Sequence, residues 1–293
     1  MTDKFQVVGI RPQAAAAVPK QPWHRGRPVW AMAVLGLIVL GCLIWPLILG
    51  GDAGYMDLAN CNAAPGRTFW FGTDTMGRDL FKMIWAGGRV SLTIGVLATA
   101  ISTVLAIVIG AVSGCGPQWL DTLVMRGTEI FLSIPNLLLV VFLQAILGTA
   151  NVWTLSLVLG VTGWPSIAKV VRTEVRQLRG SEYVLAARSM GGGFFYVLRR
   201  HLTPNFLASI VFMVVMNVRS AMLAESTLSF MGLGLPLEVI SWGSMLSLAE
   251  KALMTRAWWI IAIPGVFLVA ALLCITELGN DLRRRASQKQ SNL

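Results

Sequence analysis

From Val29 to Leu49 the chain carries no charged residue. A run of this length, coiled as a helix, reaches across the roughly 30 Å hydrocarbon core of a bilayer. In lipid only a helix or a closed barrel satisfies its own backbone hydrogen bonds. Five more predominantly apolar runs follow, at about Val90–Gly114, Leu120–Leu147, Val152–Val171, Phe206–Ser229 and Ala257–Leu278. The expectation is an all-α integral membrane protein with six transmembrane helices. Composition agrees, since 13% of residues are charged against about 25% in a soluble domain. The first run is too long for the apolar core of a cleaved signal peptide and ends without an A-x-A site, so it reads as a retained span.

The positive charges set the orientation. Sixteen of the 24 Lys and Arg fall at the membrane edge at Lys169 or within Met1–Pro28, Arg172–Asn205 and Gly279–Leu293. Six fall in the segments of the opposite side, and Arg126 and Arg219 lie in or near spans. Lys and Arg accumulate on the cytoplasmic side, so both termini are expected there. The same bias accounts for most of the net charge of +10 without invoking nucleic acid. The chain then divides into a cytoplasmic segment 1–28, a first span with its extracytoplasmic loop 29–89, a five-helix core 90–281 with a cytoplasmic loop 172–205, and a basic tail 282–293.

Several patterns refine this frame. Gly110-x-x-x-Gly114 permits close helix contact. Pro135 and Pro264 should bend the third and sixth spans. Trp242, Trp258 and Trp259 fall where an interfacial aromatic belt is expected, and Arg283–Arg285 reads as a cytoplasmic stop. Cys42, Cys61, Cys115 and Cys274 form no C-x-x-C pair, and with only His24 and His201 present no metal-ligand cluster emerges. No G-x-x-x-x-G-K-[S/T], G-x-S-x-G or H-E-x-x-H motif occurs. The chain is therefore expected to hydrolyse nothing itself and to bind no cofactor.

The loop Glu182–Asn205 is the least membrane-like part of the core. Tyr183, Ala187 and Met190 recur at helical spacing before Gly191–Gly193, as do Phe195, Leu198 and Leu202 after it. Three glycines cost about 1 kcal/mol each in a helix relative to alanine, so the pattern predicts two short helices joined by a turn. Composition leaves open whether this elbow docks a protein or lies on anionic lipid. Other charged positions also carry two readings. Asp74, Arg78 and Asp79 suit either a structured turn or a docking surface on the opposite side of the membrane. Arg126 and Glu129 share one helix face. Arg219 and Glu225, with Asn217, either line a translocation path or pair between helices.

The order of motifs resembles one family. E-Y-V-x-A-A-R-x-x-G followed by R-H-L-x-P-N resembles the "EAA" loop of bacterial ABC-importer membrane subunits, in particular the di-/oligopeptide and nickel permeases. Three further blocks are similar to that family: Phe71–Leu80, Arg126-x-x-Glu129 with Pro135, and Leu228–Gly234 with Ser241–Met245. Departures are Thr203 before the proline, a looser Gly192–Gly193 pair, and Glu129 for the usual Asp.

The resemblance implies a type I importer architecture with a cytoplasmic coupling helix that docks an ATPase through Glu182, Ala186, Ala187, Arg188, Gly191, His201 and Pro204. It implies a second, homologous permease with this chain as the C-type partner of a heterodimer. One or two ATPase subunits would bind ATP and Mg, and an extracytoplasmic solute-binding protein would dock at Asp74, Arg78 and Asp79. Lipid is the remaining partner, in a bacterial inner membrane. Peptides, nickel and metal chelates are the cargoes implied. A competing reading is an ion-coupled secondary transporter, which calls for internal repeats and broken helices. An intramembrane enzyme would need convergent catalytic groups within the spans.

Overall fold

The computed structural model describes residues 28–50, 52–148, 150–179, 189–191, 193, 196, 203–236, 238–248 and 256–290. Its helices are α1 (Val29–Leu49), α2 (Leu80–Cys115), α3 (Gln118–Ser133), α4 (Asn136–Leu147), α5 (Val152–Arg179), α6 (Thr203–Phe230), α7 (Trp242–Ser247) and α8 (Trp259–Gln290). Among the described residues there is no strand; an isolated bridge joins Thr73 to Asp79. Among the described residues five helices are long and apolar enough to cross a membrane, and α3 with α4 supplies a sixth if the pair counts as one span.

That pair corrects the expected third span. Instead of one bent helix there are two, turned 92° from one another. Proline removes a backbone donor and disfavours helical geometry in the residue before it. Ile134 accordingly sits at φ −84°, ψ 129°, and Pro135 at φ −55°, ψ 122°. The second span starts earlier than expected, at Leu80. Asp79 accepts from the backbone N–H of Phe81 at 2.9 Å and caps the new first turn, satisfying one of the donors that a helix start leaves free.

Small residues let α2 and α5 approach closely. A β-carbon on Gly110 would lie 2.6 Å from the carbonyl oxygen of Ala168, and one on Gly114 would lie 2.8 Å from Val175. From the other helix, a β-carbon on Gly160 would meet Ile101 at 2.6 Å. The G-x-x-x-G reading therefore describes a real contact surface.

The long α2 also carries the core that joins α1, α7 and α8. Its centre is Trp242, fully buried, whose indole N–H donates to the carbonyl of Ile84 at 2.9 Å. Trp242 is thus a core residue and not the interfacial anchor expected. Trp259 is buried too and donates to the carbonyl of Thr73 at 3.1 Å. Trp258 alone of the three is exposed, where a belt residue belongs. All four cysteines are free thiols.

The loop between α1 and α2 closes on a buried ion pair. Asp74 accepts from the Arg78 Nε at 2.7 Å, and its other oxygen accepts from the backbone N–H groups of Met76 and Arg78 at 2.8 Å. Gly77 makes this turn possible, at φ +74° with a β-carbon position 1.8 Å from the Asp57 carbonyl oxygen. Gly77→Ala is expected to cost about 2–3 kcal/mol through this strained conformation and overlap. Limited proteolysis should then cut the 52–79 loop at least several-fold faster than in the wild type; an unchanged rate would refute the constraint.

Candidate functional site

A cavity of about 590 Å3 opens where the α3–α4 break meets α5 and α6. Its walls come from Phe131 to Leu139 around Pro135, from Thr162 to Ile167 around Pro165, and from the Phe212–Ser220 face of α6. Each wall is thus shaped by a proline or by helical periodicity. Residues 212, 213, 216, 217 and 220 recur at the three-to-four spacing that lines one helix face. Among the described residues none that lines it is charged. Asn217 is among them, and its Nδ2 donates to the Ser102 Oγ on α2 at 2.6 Å.

Two of the helices that form the cavity, α3 and α5, are tied to each other and to α2 at one end. Asp121, buried in the first turn of α3, accepts from both Nε and Nη2 of Arg172 and from Nη1 of Arg176 at 3.0 Å. Ser113 of α2 donates to it at 2.6 Å. A carboxylate held in a fork by one arginine has a defined orientation as well as a strong bond. Both arginines lie in the last two turns of α5, just before the segment 180–202 that leads into α6. The sequence signal is faint: one of two carboxylates in the third span, and two arginines four residues apart near the end of the fourth. Sequence reasoning missed all three residues.

Glu225 lies near the opposite end of α6 and is fully buried. Ser241 and Ser229 donate to its Oε1 at 2.7 and 3.0 Å, and Ser91 and Ser226 donate to Oε2 at 3.1 and 3.3 Å. The knot spans α2, α6 and the cap of α7. Ser91 also accepts from the Trp242 backbone N–H at 3.2 Å. Ser241 accepts from Ser244 N–H at 3.0 Å while Ser244 Oγ accepts from Ser241 N–H at 2.8 Å, a reciprocal capping box. Glycines permit this closeness: a β-carbon on Gly243 would stand 2.6 Å from the Ser226 Cα.

These placements sort the charged positions singled out in the sequence. Asn217 lines the cavity. Glu225 does not, because four hydroxyls enclose it; of its two readings, a place on a translocation path or pairing between helices, this geometry is that of a junction between helices. Arg219 is half-buried and is not part of the cavity wall. Asp74 and Arg78 retain 1% and 4% exposure, so their charges are not presented for docking and the turn is what they build. Asp79 is spent on the α2 cap. Arg126 and Glu129 form an exposed pair at 3.1 Å, of the kind worth about 0–1 kcal/mol.

In the loop 172–205, Gly191 is described and adopts φ +84° in a turn, with open space around its β-carbon position. Glu182, Ala186, Ala187, Arg188 and His201 lie outside the described residues. Pro204 falls in the first turn of α6, a position where a missing N–H is not required.

Comparison with known proteins adds to this geometry. Residues 106–286 match the family described as binding-protein-dependent transport system inner membrane component. The chain is 36% identical over 257 residues to a provisionally designated peptide permease protein of Brucella suis biovar 1, covering 86% of this chain and 85% of that protein. It is 34% identical over 257 residues to the dipeptide transport system permease protein DppC of Bacillus subtilis, covering 86% and 80%. In fold it is similar to a chain of the methionine ABC transporter MetNI, solved in inward-facing conformations. The TM-score is 0.56 at 19% identity, covering 70% of this chain and 96% of that one.

Proposed function

The chain belongs to the family of binding-protein-dependent transport system inner membrane components, and on that premise we propose that it is the subunit through which an ATP-driven importer passes peptides. The observation that carries this reading is the uncharged cavity at the break between α3 and α4. It sits between helices that the 180–202 segment can move. That segment joins α5 to α6, two of the cavity's walls, and the Asp121 clamp ties α5 to α3, the third. A displacement of the segment therefore reaches every wall. Peptide as cargo draws support from the relatives named for peptide and dipeptide transport.

The remaining assembly follows from the same reading. A second, homologous permease completes the path. Separate ATPase subunits, with ATP and Mg, dock at the loop carrying Glu182, Ala186, Ala187, Arg188, Gly191, His201 and Pro204. A solute-binding protein delivers cargo on the far side. Both termini face the cytoplasm, on the strength of the Lys and Arg bias. This chain binds no nucleotide and alternates between access states by helix movement.

Co-purification in mild detergent tests the proposal. The wild type should bring a second permease and ATPase subunits with it. Gly191→Asp places a side chain at φ +84°, a conformation costing roughly 1–2 kcal/mol for such residues, and adds a charge to the docking loop. It should insert normally, lose the ATPases and lower uptake about tenfold or more, as 1.4 kcal/mol at an interface implies. A chain that purifies alone and supports ion-driven uptake without ATP would overturn the reading in favour of a secondary transporter.

A further inference from the structure

Asn217 is held in one orientation by a hydrogen-bond relay. Ser102 donates its only proton to the carbonyl of Thr99 at 3.0 Å. Its oxygen is therefore an acceptor toward Asn217, and only the amide nitrogen of Asn217 can satisfy it. The contact of 2.6 Å fixes the side chain with nitrogen toward α2. The amide oxygen takes no hydrogen bond among the described residues. Gly163 packs on the amide: a β-carbon there would lie 3.5 Å from Asn217 Oδ1 and 3.6 Å from its Nδ2. The missing side chain leaves that oxygen open on a cavity wall.

Two neighbouring hydroxyls have spent their protons in the same way. Thr162 donates to the Leu159 carbonyl at 3.2 Å, and Ser220 donates to the Met216 carbonyl at 3.1 Å. Both residues line the cavity, and both can now offer only lone pairs to it. Around Asn217 the wall thus presents three acceptors and no formal charge, with the exposed Asn136 and Ser166 as the other polar lining residues. Such a surface suits groups bearing N–H, above all peptide amides and ammonium.

We propose that Asn217 is a specificity-determining residue whose carbonyl oxygen receives N–H groups of the cargo in the cavity at the α3–α4 break. This rests on the peptide-importer reading and names the site within it. The cavity reads the amide and amine donors shared by all peptides, without selecting their side chains. A neutral acceptor here lets lysyl and glutamyl peptides pass the same wall, whereas a negative one would separate them.

The test uses the complete importer with its binding protein and ATPases in proteoliposomes, and the tripeptides Ala-Lys-Ala and Ala-Glu-Ala. Asn217→Asp preserves shape and adds a negative charge. The ratio of lysyl to glutamyl uptake should rise roughly tenfold, since an unscreened charge pair at cavity distances exceeds that factor. Gly163→Ala provides a second variant that does not strain the fold, because a helical glycine gains from the exchange. Its methyl group covers the amide oxygen and should lower uptake of both peptides several-fold without reducing thermal stability.

An unchanged ratio in an assembled Asn217→Asp importer, or full uptake by Gly163→Ala, would overturn the inference while the permease reading stands. Absence of any peptide uptake by the wild-type importer would remove both.

Discussion

Glu225→Leu is expected to destabilise the assembled permease by about 3–4 kcal/mol, whereas Glu225→Gln costs about 1 kcal/mol, because a buried donor left without a partner carries a penalty of that order. The leucine strands four serine hydroxyls that now converge on the carboxylate. Those hydroxyls belong to α2, α6 and the α7 cap, so their release also loosens the contact that buries Trp242. Glutamine keeps one acceptor oxygen and nearly the same volume. Thermal unfolding of the purified complex should therefore rank wild type, Gln and Leu in descending order with a wide last interval. Equal stability of wild type and Leu would show that the knot contributes nothing. A Gln variant that is stable but fails to transport would instead give the carboxylate a part in the path.

Asp121→Ala is the second large effect. Removing one partner of a buried ion pair costs about 3–5 kcal/mol, since the charges left behind lose their compensation. Here two arginines and a serine lose their shared acceptor. The discount for exposure falls mainly on Arg176, whose side chain is 46% exposed, against 25% for Arg172 and 6% for Asp121. The expected loss is therefore at the lower end, about 3 kcal/mol. Beyond stability, α3 would no longer follow α5. Reconstituted importers carrying this substitution should hydrolyse ATP with several-fold less peptide imported per nucleotide. A variant with wild-type coupling and wild-type melting would disprove the clamp.

Much of the molecule is legible in its amino-acid sequence. Each apolar run forms a helix because a membrane-spanning chain has no other way to satisfy its backbone. Gly110 and Gly114 announce a close contact, and Pro135 announces an interruption. What spacing leaves open is magnitude: a proline predicts a deviation, and the neighbouring helices decide whether it is a bend or a 92° break. Charge misleads in the opposite way. Asp74, Arg78 and Glu225 look available because they are polar residues in or beside a membrane. Asp74 and Arg78 spend their charges on one another within a tight turn, and Glu225 is enclosed in part by serines 134 residues upstream and 16 downstream.

The family motifs touch the cavity only at Pro135. Asn217 stands out as a polar residue within a span, but its orientation depends on Ser102, 115 residues away. Asp121 does not stand out, since its arginines lie 51 and 55 residues further along.

The sequence by itself determined the helical membrane architecture, its segment order and its family, because these follow from local apolarity, charge bias and short motifs that persist whatever the neighbours do. Tertiary structure alone decided which polar groups face the cavity and which bind the helices together. Inside a bilayer a polar side chain must find a partner, and the partners that Asp121, Glu225 and Asn217 found are separated from them along the chain by distances that no local pattern encodes.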